Sequence, residues 1–127
     1  LQVSGDILEQ LDEHGVSYEV GTDFEKVIPE ADAIYMTRIQ DEWDKEPGES
    51  KKIDTSQYQF RAEHLKLLKT NAVIMHPLPR RDEIEPTVDR DPRAMYWREM
   101  RNGMWIRCAL IATIFGCHDE INAYDEG

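Results

Sequence analysis

Ala72-Val73-Ile74-Met75-His76-Pro77-Leu78-Pro79-Arg80 is the stretch that decides the fold. Its apolar run is short and β-branched, and it ends at a pair of prolines. It therefore reads as a buried strand that stops where the backbone changes direction. Leu78-Pro79 is a tertiary amide whose cis form costs only about 0.5–1 kcal/mol, against about 3–4 for an ordinary peptide bond, so the paired prolines make this bond a candidate for cis. Neither proline carries an N–H, so nearby carbonyls are able to point away from a backbone partner. In an open α/β sheet, the C-terminal ends of the strands are where ligands bind.

About forty residues upstream lies a second strand, Ala33-Ile34-Tyr35-Met36-Thr37, which runs straight into Arg38-Ile39-Gln40. Arg38 offers a planar fork of donors that matches a carboxylate, and the Gln40 amide both donates and accepts. If the backbone stays extended, Arg38 and Gln40 project to the same side. Two strand ends of this chemistry make a stronger site than either alone.

The other segments alternate around these strands. Ile7, Leu8 and Leu11, after Val3-Ser4, have helical spacing that ends at His14-Gly15, where glycine suits a helix C-terminus. Val16 to Val20 alternates like a strand. Thr22-Asp23 caps a short helix over Phe24–Ile28. Residues 41 to 57 show no apolar periodicity, contain Pro47-Gly48, and read as a long exposed loop of the kind that serves as a lid or stays disordered. Phe60 to Leu68 returns to helical periodicity. A helix is expected from near Arg93 to Met100, a break or kink at Asn102-Gly103, and a closing helix from Met104 to Phe115 that is apolar on most faces. Strands alternating with helices of this length imply an α/β fold, a Rossmann-like parallel sheet covered on both faces.

Composition sets limits on function. At 127 residues, the chain is one domain's worth and buries roughly two-thirds of its unfolded surface. A net charge of −11 disfavours nucleic acid, because phosphate contacts need clustered Lys and Arg. The longest apolar candidate, Cys108–Phe115, falls far short of the roughly 18 residues a membrane span needs. Cys108 and Cys117 form no CxxC pair, and His14, His64 and His118 have no companions, so no disulfide framework or metal site is indicated. No GxGxxG or GxxxxGK[ST] is present to bind a nucleotide. The sequence opens on Leu1 with no charged-then-apolar leader, so a missing N-terminal segment and a cytoplasmic location are expected.

Taken in order, Tyr35-Met36-Thr37-Arg38-Ile39-Gln40, His76-Pro77-Leu78-Pro79-Arg80 with Asp82-Glu83-Ile84, and Asn102-Gly103-Met104 with Arg107-Cys108-Ala109-Leu110-Ile111-Ala112 resemble one family. It is the aspartate/ornithine carbamoyltransferase family, in its carboxyl-terminal, aspartate-binding half. Ornithine-type relatives carry Cys where Pro77 stands and lack the Thr-Arg-x-Gln run, so the aspartate branch matches better. The resemblance covers about Ile7 to Phe115.

The resemblance implies an enzyme that transfers the carbamoyl group of carbamoyl phosphate to L-aspartate in de novo pyrimidine biosynthesis, without metal or organic cofactor. It implies that Arg38 and Gln40 grip the aspartate, and that the Leu78 carbonyl and the Pro79 turn contact the carbamoyl group and the incoming amine. His76 and Arg80 are expected to be strand-end scaffold. The full-length chain is expected to be a homotrimer. Residues 1–127 are expected to be an N-terminally truncated aspartate-binding domain, with 104–115 packing on the missing N-terminal domain. The family's Ser-Thr-Arg-Thr phosphate site and its catalytic His have no match here, so the isolated chain is expected to be inactive. Asp41 and Trp43 stand where many relatives carry basic residues. A noncatalytic Rossmann-like paralogue and an ornithine-type domain are the alternatives.

Overall fold

The computed structural model describes residues 3–38, 58–117 and 119–120. Gln40 and the 41–57 segment, with Asp41 and Trp43, lie outside the described residues, as does His118. In chain order the elements are α1 (Gly5–Glu13), α2 (Phe24–Val27), β1 (Ala33–Tyr35), a 3₁₀ turn (Ala62–Lys66), β2 (Val73–Met75), a second 3₁₀ turn (Pro86–Arg90) and α3 (Tyr96–Phe115).

The two strands pair in parallel, with Ala33 opposite Val73, Ile34 opposite Ile74 and Tyr35 opposite Met75. The ladder continues as the Met36 N–H donates to the Met75 carbonyl at 2.9 Å. On its other edge β2 takes in the 93–95 segment: the Ile74 N–H donates to the Arg93 carbonyl and the Met95 N–H to the Ile74 carbonyl, both at 2.8 Å. Ile34 and Ile74 face the same way and are buried with Ile28, Phe60, Leu68, Ile84, Val88 and Tyr96. The opposite face carries exposed Ala33 and Tyr35 and half-buried Val73 and Met75, and α3 lies beside β2. Parallel pairing of this kind needs a crossover, and the chain between Met36 and Val73 supplies it.

Most expected elements form. Asp23 caps α2 by accepting from the Lys26 N–H at 3.2 Å, and α1 ends at His14 with Gly15 at φ 64°, a conformation glycine adopts without steric penalty. Four expectations are corrected. Val16 to Val20 forms no strand and stays exposed, because alternation alone gives no ladder partner and β1 pairs only with β2 among the described residues. Phe60 is not helical; it pairs with Ile84 as a parallel bridge, donating to the Glu83 carbonyl at 2.8 Å, so the helical turn starts only at Ala62. The last helix begins at Tyr96 rather than near Arg93, since the backbone of 93–95 is engaged by β2. Nor does it break at Asn102-Gly103: α3 runs unbroken for 20 residues. A mid-helix glycine costs only about 1 kcal/mol, too little to interrupt so long a ladder.

Arg93 ties the second half of the fold together. Its guanidinium donates to the carbonyls of Leu65 and Leu68 at 2.9 Å and Lys69 at 3.2 Å, and to both carboxylate oxygens of Asp91. It thereby satisfies the carbonyls at the end of the 3₁₀ turn that leads into β2. Arg93→Ala is expected to lower stability by about 2–4 kcal/mol, because it leaves half-buried carbonyls and a carboxylate without donors. Arg93→Lys recovers little of this, since one ammonium cannot span three carbonyls. Urea denaturation midpoints check both, and an Ala variant as stable as the parent refutes the assignment.

Candidate functional site

A parallel register puts the ends of β1 and β2 at one edge of the sheet. Arg38 and Leu78 each stand three residues beyond the last pair, Tyr35–Met75. Arg38 is half-buried, and its charge acts on His76. Leu78 is half-buried and Pro79 exposed, and the Leu78-Pro79 bond is cis as expected. Arg38, Leu78 and Pro79 are thus gathered at one edge, while Gln40 lies outside the described residues.

His76 organises the turn. Its side chain is buried, and its Nδ1 accepts the Leu78 N–H at 2.9 Å. That bond holds Leu78 at φ 46°, a left-handed backbone that side chains other than glycine rarely adopt. With Nδ1 accepting, the neutral ring carries its proton on Nε2, which lies 3.7 Å from a Glu83 carboxylate oxygen and has no hydrogen-bond partner among the described residues. The backbone N–H of His76 donates to Glu99 of α3 at 3.0 Å. Burial pulls the His76 pKa below 6.5; Glu83 and Glu99 oppose that shift, and Arg80 and Arg38 reinforce it.

Arg80, at the end of the turn, points inward. Its guanidinium grips Asp89 through both nitrogens, one bond being 2.6 Å, and donates to the Tyr96 hydroxyl at 3.2 Å. It lies 5.5 Å from the Tyr96 ring centre and 5.7 Å from that of Trp97. The Arg80 bond holds the Asp89 carboxyl below its ordinary range. Burial, followed by the bond to Asp89, pushes the Tyr96 hydroxyl up to about 12. This cluster ties the turn to α3.

Beside the turn opens a largely apolar cavity of about 620 Å³, lined by Pro77, Leu78, Pro79, Arg80, Trp97 and Met100. Trp97, Met100 and Glu99 were not picked out from the sequence. Their signal was present as one turn of helix facing the strand ends, but it could be used only once α3 was known to begin at Tyr96. A second cavity, of about 400 Å³, lies at Phe24, Gln59 and His64. There the buried His64 accepts the Arg61 N–H at 3.0 Å and packs edge-on against Phe24 and Phe60. Among the described residues no cluster of His, Cys, Asp and Glu is suited to a metal, and no helix is long and apolar enough to cross a membrane.

Residues 2–114 match the profile of the Asp/Orn-binding domain of aspartate/ornithine carbamoyltransferases. The sequence is 45% identical over 108 residues to the aspartate carbamoyltransferase catalytic subunit of Chromobacterium violaceum, covering 85% of this chain and 35% of that protein. Among solved structures, the fold is similar to aspartate transcarbamoylase of Trypanosoma cruzi in complex with N-(phosphonacetyl)-L-aspartic acid, with a TM-score of 0.74, 34% identity, 87% of this chain covered and 36% of that one. It is also similar to the catalytic subunit of M. jannaschii aspartate transcarbamoylase, with a TM-score of 0.75, 29% identity, 92% of this chain and 37% of that one. The chain spans about a third of the length of these relatives.

The depressed pKa of His76 has a measurable consequence. Below about pH 6.5 the unfolded imidazole takes up a proton that the folded one resists, so stability falls as pH drops through that window. Asp89 and Asp91, held below 3.8 by Arg80 and Arg93, act only at lower pH. His76→Asn keeps an acceptor for the Leu78 N–H and removes the titration. Denaturation midpoints between about pH 7 and 5 should then lose most of their slope; an unchanged slope would place the titration elsewhere.

Proposed function

The chain belongs to the aspartate/ornithine carbamoyltransferase family, and on that premise we propose that it supplies the aspartate-binding half of a site that carbamoylates L-aspartate. The convergence of Arg38 with the Leu78-Pro79 turn at one sheet edge carries this reading. The aspartate branch is favoured over the ornithine branch by Thr37-Arg38-Ile39-Gln40, by Pro77, and by the names of the relatives above.

In this reaction the amine nitrogen of aspartate attacks the carbamoyl carbon of carbamoyl phosphate. A C–N bond forms, the C–O bond to phosphate breaks, and N-carbamoyl-L-aspartate, phosphate and a proton are released. Both substrates are anionic, so the main tasks are orientation and stabilisation of charge developing on the carbonyl oxygen. Arg38 pairs with an aspartate carboxylate through two parallel N–H bonds, and the Gln40 amide adds a further contact. The Leu78 carbonyl accepts from the amine and aims its lone pair, and the Pro79 turn bounds the carbamoyl group. The cavity beside Pro77 and Trp97 gives room for it.

The phosphate-binding groups are supplied from outside this chain in the proposed enzyme, since the chain spans about a third of its relatives. We propose that 104–115 packs on the domain carrying them. In α3, Trp105 is 61% exposed and Ile114 78%, an apolar face that such a domain would cover. The full-length enzyme is proposed to be a cytoplasmic homotrimer in de novo pyrimidine biosynthesis.

Steady-state kinetics of the complete enzyme test the role of Arg38. A charge-assisted bidentate contact is worth on the order of 2–4 kcal/mol, so Arg38→Ala should weaken aspartate use by roughly 30- to 1000-fold. Arg38→Lys should rescue little. A normal aspartate KM in either variant removes Arg38 from the site. Residues 1–127 expressed alone should yield no ureido product from the two substrates, whereas the complete enzyme should; carbamoyl transfer by the isolated chain contradicts the half-site reading.

A further inference from the structure

Glu99 is not among the residues that touch the proposed substrates, yet it binds the strand end that leads to Leu78. Its Oε2 accepts the His76 backbone N–H at 3.0 Å, at the first residue past β2. The same carboxylate, acting on the hydroxyl of Tyr35, the last residue of β1, helps to raise its pKa. From Tyr35 the chain reaches Arg38 in three residues, and from His76 it reaches Leu78 in two. The carboxylate itself is anchored: the Glu99 N–H donates to the Met95 carbonyl at 2.8 Å in the first turn of α3, next to the fully buried Tyr96.

The bonds form a relay. Glu99 fixes the His76 backbone; the His76 ring, through Nδ1, holds the Leu78 N–H; and that bond fixes the Pro77–Leu78 peptide, so that the Leu78 carbonyl leaves an anchored residue on its other side. Two hydrogen bonds in series therefore bear on the orientation of one carbonyl. The paired register ends at Tyr35–Met75, and just past it the Met36 N–H donates to the Met75 carbonyl. A side chain from α3 takes over where the ladder stops. Were Glu99 only a surface carboxylate, solvent would serve it equally well, but it is half-buried and accepts the backbone N–H at the end of β2.

We propose that Glu99 is a positioning residue for carbamoyl transfer, acting through the His76 backbone and ring to aim the Leu78 carbonyl. The inference rests on the carbamoyltransferase reading of this edge. Its reaction-specific consequence is a loss of alignment rather than of substrate affinity, because Arg38 itself is untouched.

The test uses the complete enzyme and three readouts. Competent sites are counted by titration with N-(phosphonacetyl)-L-aspartate, kcat and aspartate KM are measured per competent site, and exchange of the His76 and Leu78 amide hydrogens is followed. A misplacement of about 1 Å costs on the order of 100-fold in rate, so Glu99→Ala should lower kcat per site by roughly 10- to 100-fold while aspartate KM changes less than about threefold. The His76 and Leu78 amides should exchange faster. Glu99→Gln, whose amide oxygen still accepts, should restore kcat to within about threefold and restore amide protection. Glu99→Ala with normal kcat and normal exchange overturns the proposal. So does a loss in which Ala and Gln suffer alike, or one explained wholly by fewer competent sites. An inactive wild-type enzyme instead overturns the carbamoyltransferase reading, while an active wild type with an active Glu99→Ala sinks only the role of Glu99.

Discussion

Parallel, in-register pairing of β1 with β2 is the constraint on which the rest of this structure depends. Ile34 opposite Ile74 fixes the register, because both side chains are buried on the same face and a slip of one residue would turn them outward. A slip of two would keep the burial pattern but move one strand end by roughly 7 Å relative to the other. An antiparallel pair would send Arg38 and Leu78 to opposite edges. Only the observed arrangement brings a guanidinium and a proline turn, forty positions apart in sequence, to the same edge.

What the strand ends do next is decided by polar chemistry in a dry setting. His76 is buried with one ring nitrogen satisfied by Leu78 and its backbone satisfied by Glu99. A neutral imidazole suits that position, since charging it would leave the Nδ1 acceptor role unfilled while opposing burial. Arg80 and Arg93 serve a second purpose. Each is tied to an aspartate and to further acceptors inside the fold, so their charges are neutralised where they lie. A chain of net charge −11 thus uses several of its cations as internal fasteners.

Much of this was legible in the sequence, and the misses have physical causes. The runs Ala33–Thr37 and Ala72–Met75 were readable as strands because buried parallel strands are continuously apolar. The cis bond at Leu78-Pro79 was readable from the paired prolines together with the family resemblance, since a tertiary amide by itself only makes cis accessible. Val16–Val20 misled because alternation describes one strand, and pairing is a property of two. The start of α3 misled because Arg93 to Met95 has ordinary helical composition, and its backbone is claimed by Ile74 through a long-range contact no local pattern encodes. Asn102-Gly103 misled because a glycine weakens a helix without ending it. Glu99, Trp97 and Met100 escaped notice for a related reason: their importance comes from which strand α3 leans on.

α3 divides into two parts with different dependencies. Its first turns belong to the fold described, with Tyr96 fully buried and Glu99 bound to the backbone at the end of β2. Beyond Gly103, Ala112 is the buried residue among side chains that include Trp105, Ile106, Leu110, Ile111, Ile114 and Phe115, each more than half exposed. Intrinsic propensity suffices to keep such a helix formed once its first turns are anchored, since propagation adds a bond for each residue fixed. The anchor and the open face are therefore coupled by one rigid rod. If the proposed neighbouring domain packs on the far part, any tilt of that domain is transmitted along the rod to Glu99, and so to the strand end at His76. Anchoring the site through a helix rather than a loop makes its geometry sensitive to assembly, which is what a site completed from two domains requires.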